Sequence, residues 1–168
     1  MNIFVLYEDP WLAAQHLCDK HVVKMILEST QILSTVAQLR GYEGPYKKTH
    51  VNHPCVKWVA EHPANWAWLV KHASYMTFEY SDRYNKIHKC EPLIEQLNHR
   101  GPIIWEGTEF EDDPDFYKKH TPFVQCMPDQ YKRESAVDAY RAYYIGEKAS
   151  MATWKLNKPS WFPEINNV

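Results

Sequence analysis

His16, Lys20, Lys24 and Glu28 follow one another at strict i, i+4 spacing, with Gln31 close behind and His21 at the edge of the same face. Val22, Met25, Ile26, Ser29 and Leu33 take the opposite side. Cations and imidazoles set among Val and Ile can hold phosphates or move protons. The plainer reading is a solvated face, in which a Lys24–Glu28 pair contributes a few tenths of a kcal/mol.

A second stripe runs through Asn65, His72, Glu79, Arg83 and Lys86, which fall within about 60° of one another on a helical projection. Trp68, Tyr75 and Met76 lie in or beside it. Flat rings mixed with cations form the wall of a nucleic-acid groove, where bases stack and phosphates are neutralised. The alternative is an exposed face carrying a Glu79–Arg83 ion pair of small value. Further on, Arg141, Tyr144 and Lys148 share a face, and Tyr140, Tyr143 and Tyr144 make a dense aromatic patch. Such tyrosines either stack a ligand or fill a core with the hydroxyl at its edge. In TPFVQCMPDQYK, Tyr131 reads as the anchor of a turn.

The loop THVNHPC holds His50, His53 and Cys55 within six residues. A structural zinc site needs four ligands, for which His16, His21 and Cys18 are distant donors. The favoured reading is a turn in which His53-Pro54 sets up the following helix. We therefore expect no metal and no cofactor, with His50 and His53 the only weak metal candidates. There is no HExxH, GxSxG, GxGxxG or P-loop, which argues against zincin, serine-hydrolase, dinucleotide and triphosphatase chemistry.

The elements that must position these residues are mostly helical. Residues 3–7 read as a buried strand or extended segment ended by Glu8-Asp9-Pro10. Asp9 and Pro10 begin a helix expected over about 10–39, stopped by Gly41 and Gly44. Further helices are expected from 54, over about 63–88, briefly over 91–97, and over about 133–151. Residues 99–128, punctuated by Pro102, Gly107, Pro114, Pro122 and Pro128 and carrying the acidic run 109–113, read as a long surface loop or lid. The 168 residues fit one domain, residues 1–168, able to bury about two thirds of its unfolded surface. The fold class expected is mostly α: a single-domain helical bundle with a short N-terminal extended segment and a long Pro-rich loop. No apolar run is long enough to cross a membrane and no signal peptide is visible. Four dispersed cysteines without a CxxC pair read as reduced thiols in a cytoplasmic protein. A net charge of −2 argues against a generally basic nucleic-acid binder but allows a local basic groove.

MNIFVLYEDPWLAAQHLCDKHVVKMILESTQILS, with THVNHPC, NWAWL, EYSDRYNKIHK and YRAYY, resembles a family of short uncharacterised tailed-phage proteins. The layout also resembles pyrimidine dimer DNA glycosylase/AP lyases of the phage endonuclease V type: MNIFVL, then AAQHL, then HPCVKW, then a helix ending EYSDRYNKIHK. That resemblance implies a small all-α enzyme whose α-amine attacks the sugar C1′ with help from a glutamate on the first helix. Here the stretch matching the family's catalytic Arg-Glu is His21-Val22-Val23-Lys24; Asp19 lies about one turn earlier and Glu28 about one turn later. Asn2 is not small enough to favour removal of Met1, so Met1 is the implied nucleophile.

The resulting expectation is a phage-type protein acting on DNA or a nucleotide, in the host cytoplasm if phage-encoded. Its implied catalytic residues are Met1, Asp19, His21 and Glu28. Phosphates would be held by His16, Lys20, Lys24, Arg83, Lys86, Arg141 and Lys148, and a base stacked by Trp68, Tyr75 and Tyr144. Two alternatives stay open: a non-enzymatic protein binding a host protein or small ligand, and a metal-dependent nucleotide enzyme using His16, His21, His50 and His53.

Overall fold

The Asp9 carboxylate accepts the N–H groups of Trp11 and Leu12 at 3.0 and 2.9 Å, and Pro10 fills the first helical turn. This begins α1 (Pro10–His16) in the computed structural model, which describes residues 1–110 and 118–164. The expectation of one helix over about 10–39 is corrected. Leu17 and Cys18 are extended, with ψ of 137° and 161°, and α2 (Asp19–Leu39) starts after them. The break is held by a side chain from another helix: Arg83 donates from Nη1 to the Leu17 carbonyl at 2.8 Å and from Nη2 to the Gln15 carbonyl at 2.7 Å. A continuous helix would have used those carbonyls internally. The i, i+4 ladder therefore loses His16 and runs only from Lys20 to Glu28.

Two His-Pro pairs start the next helices. His53 Nδ1 accepts the Cys55 N–H at the head of α3 (Pro54–Glu61), and His62 Nδ1 accepts the Ala64 N–H at the head of α4 (Pro63–Tyr84), both at 3.1 Å. α4 ends at Tyr84 rather than near 88, because Asn85 turns left-handed at φ 51°. α5 (Glu91–Ile104) is twice the expected length, and Gly101-Pro102 lies inside it rather than ending it. Gly101 is needed there: a Cβ would stand 3.1 Å from Trp66 Nε1. α6 (Ala136–Tyr143), capped by Ser135, is shorter than expected and passes into a wide turn at 144–148 and a tight one at 149–151.

α4 lies at the centre and packs against α1, α2, α3 and α5. The core joins Ile3, Val5 and Leu6 of the N-terminal segment to Val22, Ile26 and Leu33 of α2, Leu69 and Met76 of α4, and Tyr140 and Tyr144. Residues 2–6 are buried and form no helix, and no strand occurs among the described residues. The expected long loop is only partly one. Its first residues belong to α5, and 120–127 is mostly half-buried against the body. There Thr121 exchanges hydrogen bonds with Asn65, and Phe123 rests against Trp58 and Trp68 at ring distances of 5.4 and 4.9 Å. Of the acidic run, Glu111, Asp112 and Asp113 lie outside the described residues. Among the described residues no helix is long and apolar enough to cross a membrane.

Candidate functional site

The N-terminal segment runs backwards along α2, placing Asn2 beside Glu28 and Phe4 beside His21. Asn2 is a clamp. Its backbone N–H donates to Glu28 Oε2 at 3.1 Å, its Nδ2 donates to the Cys126 carbonyl at 2.8 Å, and its Oδ1 accepts the Ile3 N–H at 2.8 Å. Phe4 follows in the left-handed region at φ 44°, unfavourable for an aromatic residue. Its ring is held by stacking on His21 at 4.4 Å and by the edges of Tyr140 and Tyr144. The outcome is a Met1 α-amine 3.5 Å from Glu28 Oε2. Lys24 Nζ lies 3.5 Å from the other oxygen, Oε1. The Met1 and Glu28 side chains are 5% and 12% exposed and the Lys24 side chain 69%, so a half-buried terminus and its carboxylate sit beside an open cation. Once it has given up its extra proton, an amine in such a pair can act as a nucleophile, with the carboxylate as an acceptor for the proton it loses.

His21 is buried, with Nδ1 2.5 Å from the Tyr144 hydroxyl. Burial, then the charges of Lys148 and Lys24, push its pKa down to about 4. It is therefore a neutral packing and hydrogen-bonding residue at pH 7, with two lysines nearby. His53, half-buried, is also held below the ordinary imidazole value, first by burial and then by the N-terminal charge.

Other predicted residues are drawn elsewhere. Asp19 does not meet the amine: it lies 3.2 Å from Arg83 Nη1 and accepts the Lys155 N–H at 3.1 Å and the Thr153 hydroxyl at 3.2 Å. Arg83 faces no groove. Its side chain is 0% exposed, pairs with Glu79 at 2.9 Å, and donates to Asp19 and to the carbonyls at the α1–α2 break. Trp68 and Tyr144 are buried, Trp68 donating to the Glu8 carbonyl at 2.8 Å, so neither offers a face to a base. Tyr75 is half-buried and pairs with Phe78 on α4. Lys86 is exposed but lies beyond the Asn85 turn, off the helical stripe. His72 is fully buried, and burial pushes its pKa down to about 3.

His16, Arg141 and Trp161 form a separate cluster. His16 Nδ1 accepts the Trp161 indole N–H at 3.1 Å; Arg141 donates from Nε to the Leu6 carbonyl at 3.0 Å and lies over the Tyr7 and Trp161 rings. Lys148 lies over Tyr143 at 4.7 Å, and Lys20 is exposed.

Of the metal candidates, His50 is exposed and bonded to Thr49. His53 instead groups with Cys55 and Cys126, their ligand atoms all within 4.8 Å of one another. The spacing analysis missed Cys126 and the clamp role of Asn2. No periodicity joins residue 126 to residue 55, and a lone Asn at position 2 carries no pattern.

A family model described as pyrimidine dimer DNA glycosylase matches residues 1–92, which include Met1, Asn2, Lys24 and Glu28. No curated protein and no solved structure matches the chain.

Proposed function

Because this chain belongs to the pyrimidine dimer DNA glycosylase family, a DNA glycosylase-type function with DNA as substrate is its premise, and we propose that the Met1 α-amine is the nucleophile and Glu28 its acid/base partner. The observation that carries this reading is the 3.5 Å approach of the amine to Glu28 Oε2. The amine nitrogen attacks C1′ of the damaged nucleotide while the C1′–N1 bond breaks and the base leaves as the anion, to be protonated. Glu28 takes the proton that the amine loses. Opening of the sugar leaves an imine between Met1 and C1′. Loss of a C2′ proton then expels the 3′ phosphate, and water releases the enzyme.

The exposed Lys20 and Lys24, with Lys148 across His21, supply the positive surface for the backbone. Tyr143, half-buried and parallel to Phe4, takes the stacking role that the burial of Tyr144 denies it.

Borohydride trapping on abasic, ultraviolet-irradiated and intact duplexes tests the reading, after intact mass establishes the first residue. The expected result is one adduct mapped by peptide mass to the Met1 nitrogen and lost on acetylation of the amine. Strand cleavage or base release without a trapped adduct overturns the amine mechanism.

A further inference from the structure

Cys55 enters the structure at the head of α3, where the His53-Pro54 start fixes it. Cys126 arrives from residues 118–128, whose course is set by Tyr140: its hydroxyl donates to the Val124 carbonyl at 2.9 Å and accepts the Cys126 N–H at 3.2 Å. The two sulfurs lie 3.3 Å apart, within thiol hydrogen-bond reach, and form no disulfide. A ring nitrogen of His53 completes a trio within 4.8 Å, with Cys55 buried and the other two half-buried.

Two thiols and an imidazole are soft and borderline donors, suited to zinc-class ions and unsuited to magnesium or calcium. Tetrahedral zinc bonds of about 2.3 Å to sulfur set the sulfurs roughly 3.8 Å apart, a small opening from the observed 3.3 Å. Asn2 ties the N-terminus to the Cys126 carbonyl at 2.8 Å, and Met1 is the next residue along the chain. Its α-amine is therefore a candidate for the fourth ligand.

We propose that His53, Cys55 and Cys126 form a binding site for a zinc-class cation, with the Met1 α-amine as fourth ligand. Binding releases both thiol protons and the extra proton of the charged α-amine to solvent. It also takes the single lone pair of the neutral His53 ring, which now accepts the Cys55 N–H, so that cap is given up. An occupied site ties up the amine and holds the protein inactive until the ion is removed. The inhibition rests on the proposed amine chemistry; the ion site does not.

The test is titration of the reduced, metal-free protein with Co²⁺ and then Zn²⁺, followed by trapping on abasic DNA with and without one equivalent of Zn²⁺. The expected result is one ion per chain, a thiolate-to-cobalt absorption band that Zn²⁺ abolishes, and loss of the Cys55 amide cap signal. Cys126→Ser should weaken binding about tenfold or more, whereas Cys18→Ser should leave it unchanged. The site is overturned if the reduced wild-type protein holds no stoichiometric ion, or if Cys126→Ser, confirmed folded, binds as tightly. Zinc binding with undiminished trapping rejects the amine as fourth ligand. Zinc binding in a protein that never traps leaves the ion site standing and removes the amine mechanism instead.

Discussion

The Asn2 N–H donates to Glu28 Oε2 at 3.1 Å, and this bond delivers the neighbouring α-amine to the same oxygen. A chain terminus usually frays, because little holds its last residues. Here the second residue is bonded on both sides, to α2 through its backbone and to the Cys126 carbonyl through its side chain. The amine is thus held beside Glu28 by the fold itself.

Glu28→Gln keeps an oxygen able to accept the Asn2 N–H but cannot take a proton. Its single-turnover trapping rate should fall about 10²-fold or more with little change in melting temperature. Asp19→Asn should do the reverse, lowering stability while trapping per folded molecule holds. Equal trapping losses in the two variants would mean that Glu28 has no special role.

Arg83→Met takes from the Glu79 and Asp19 carboxylates their buried cation and from the Gln15 and Leu17 carbonyls their Arg83 donor. Urea unfolding should show a loss of about 3–5 kcal/mol, as when one partner of a buried ion pair is removed. The salt dependence of DNA binding should not change in whatever fraction stays folded. A change in that slope would return Arg83 to the DNA interface.

Lys24→Ala and Lys148→Ala should each reduce the slope of log K against log salt by about 0.9 for duplex binding, and weaken damaged and intact duplexes alike. Fluorescence anisotropy over a salt series measures this. An unchanged slope in both variants would place the phosphate path elsewhere on the surface.

His21 and His72 bind protons less readily folded than unfolded, at about 4 and about 3 against 6.5. Between those values and 6.5 the unfolded chain holds the extra protons. Stability is therefore full above about pH 6.5 and falls as the pH drops. For His21, faced by Lys148, Lys24 and Tyr144, the loss by pH 4.5 is about 2–3 kcal/mol. His21→Gln should flatten part of that decline in urea titrations at pH 7 and 4.5. An identical decline in the variant would refute the assignment.

Local chemistry made the helix starts legible. Asp9-Pro10 and His53-Pro54 act within a few residues, so their effect can be read directly. The stop at Leu17-Cys18 could not be read, since neither residue is a glycine or proline and the guanidinium that holds the break comes from Arg83 on α4. The same blindness misled the reading of the α4 stripe. Periodicity put Glu79 and Arg83 on one face but could not reveal that this face meets α1 and the Asp19 carboxylate. At the site, Met1 and Glu28 were both legible as candidates. Choosing Glu28 over Asp19 required the course of residues 1–6 along α2, which tertiary packing alone decides.

The N-terminal segment is enclosed by residues that come much later in the chain. Cys126 holds Asn2, Arg141 holds the Leu6 carbonyl, Tyr144 meets Cys18, and Trp161 meets His16. Such pairings join residues more than a hundred positions apart, so loop closure opposes them until most of the helices have assembled. In folding, the surroundings of this segment are therefore completed late. The contacts from Cys126 and Arg141 close over residues 2–6 only when the final third of the chain has folded, and a chain shortened there leaves Asn2 and the Leu6 carbonyl without them.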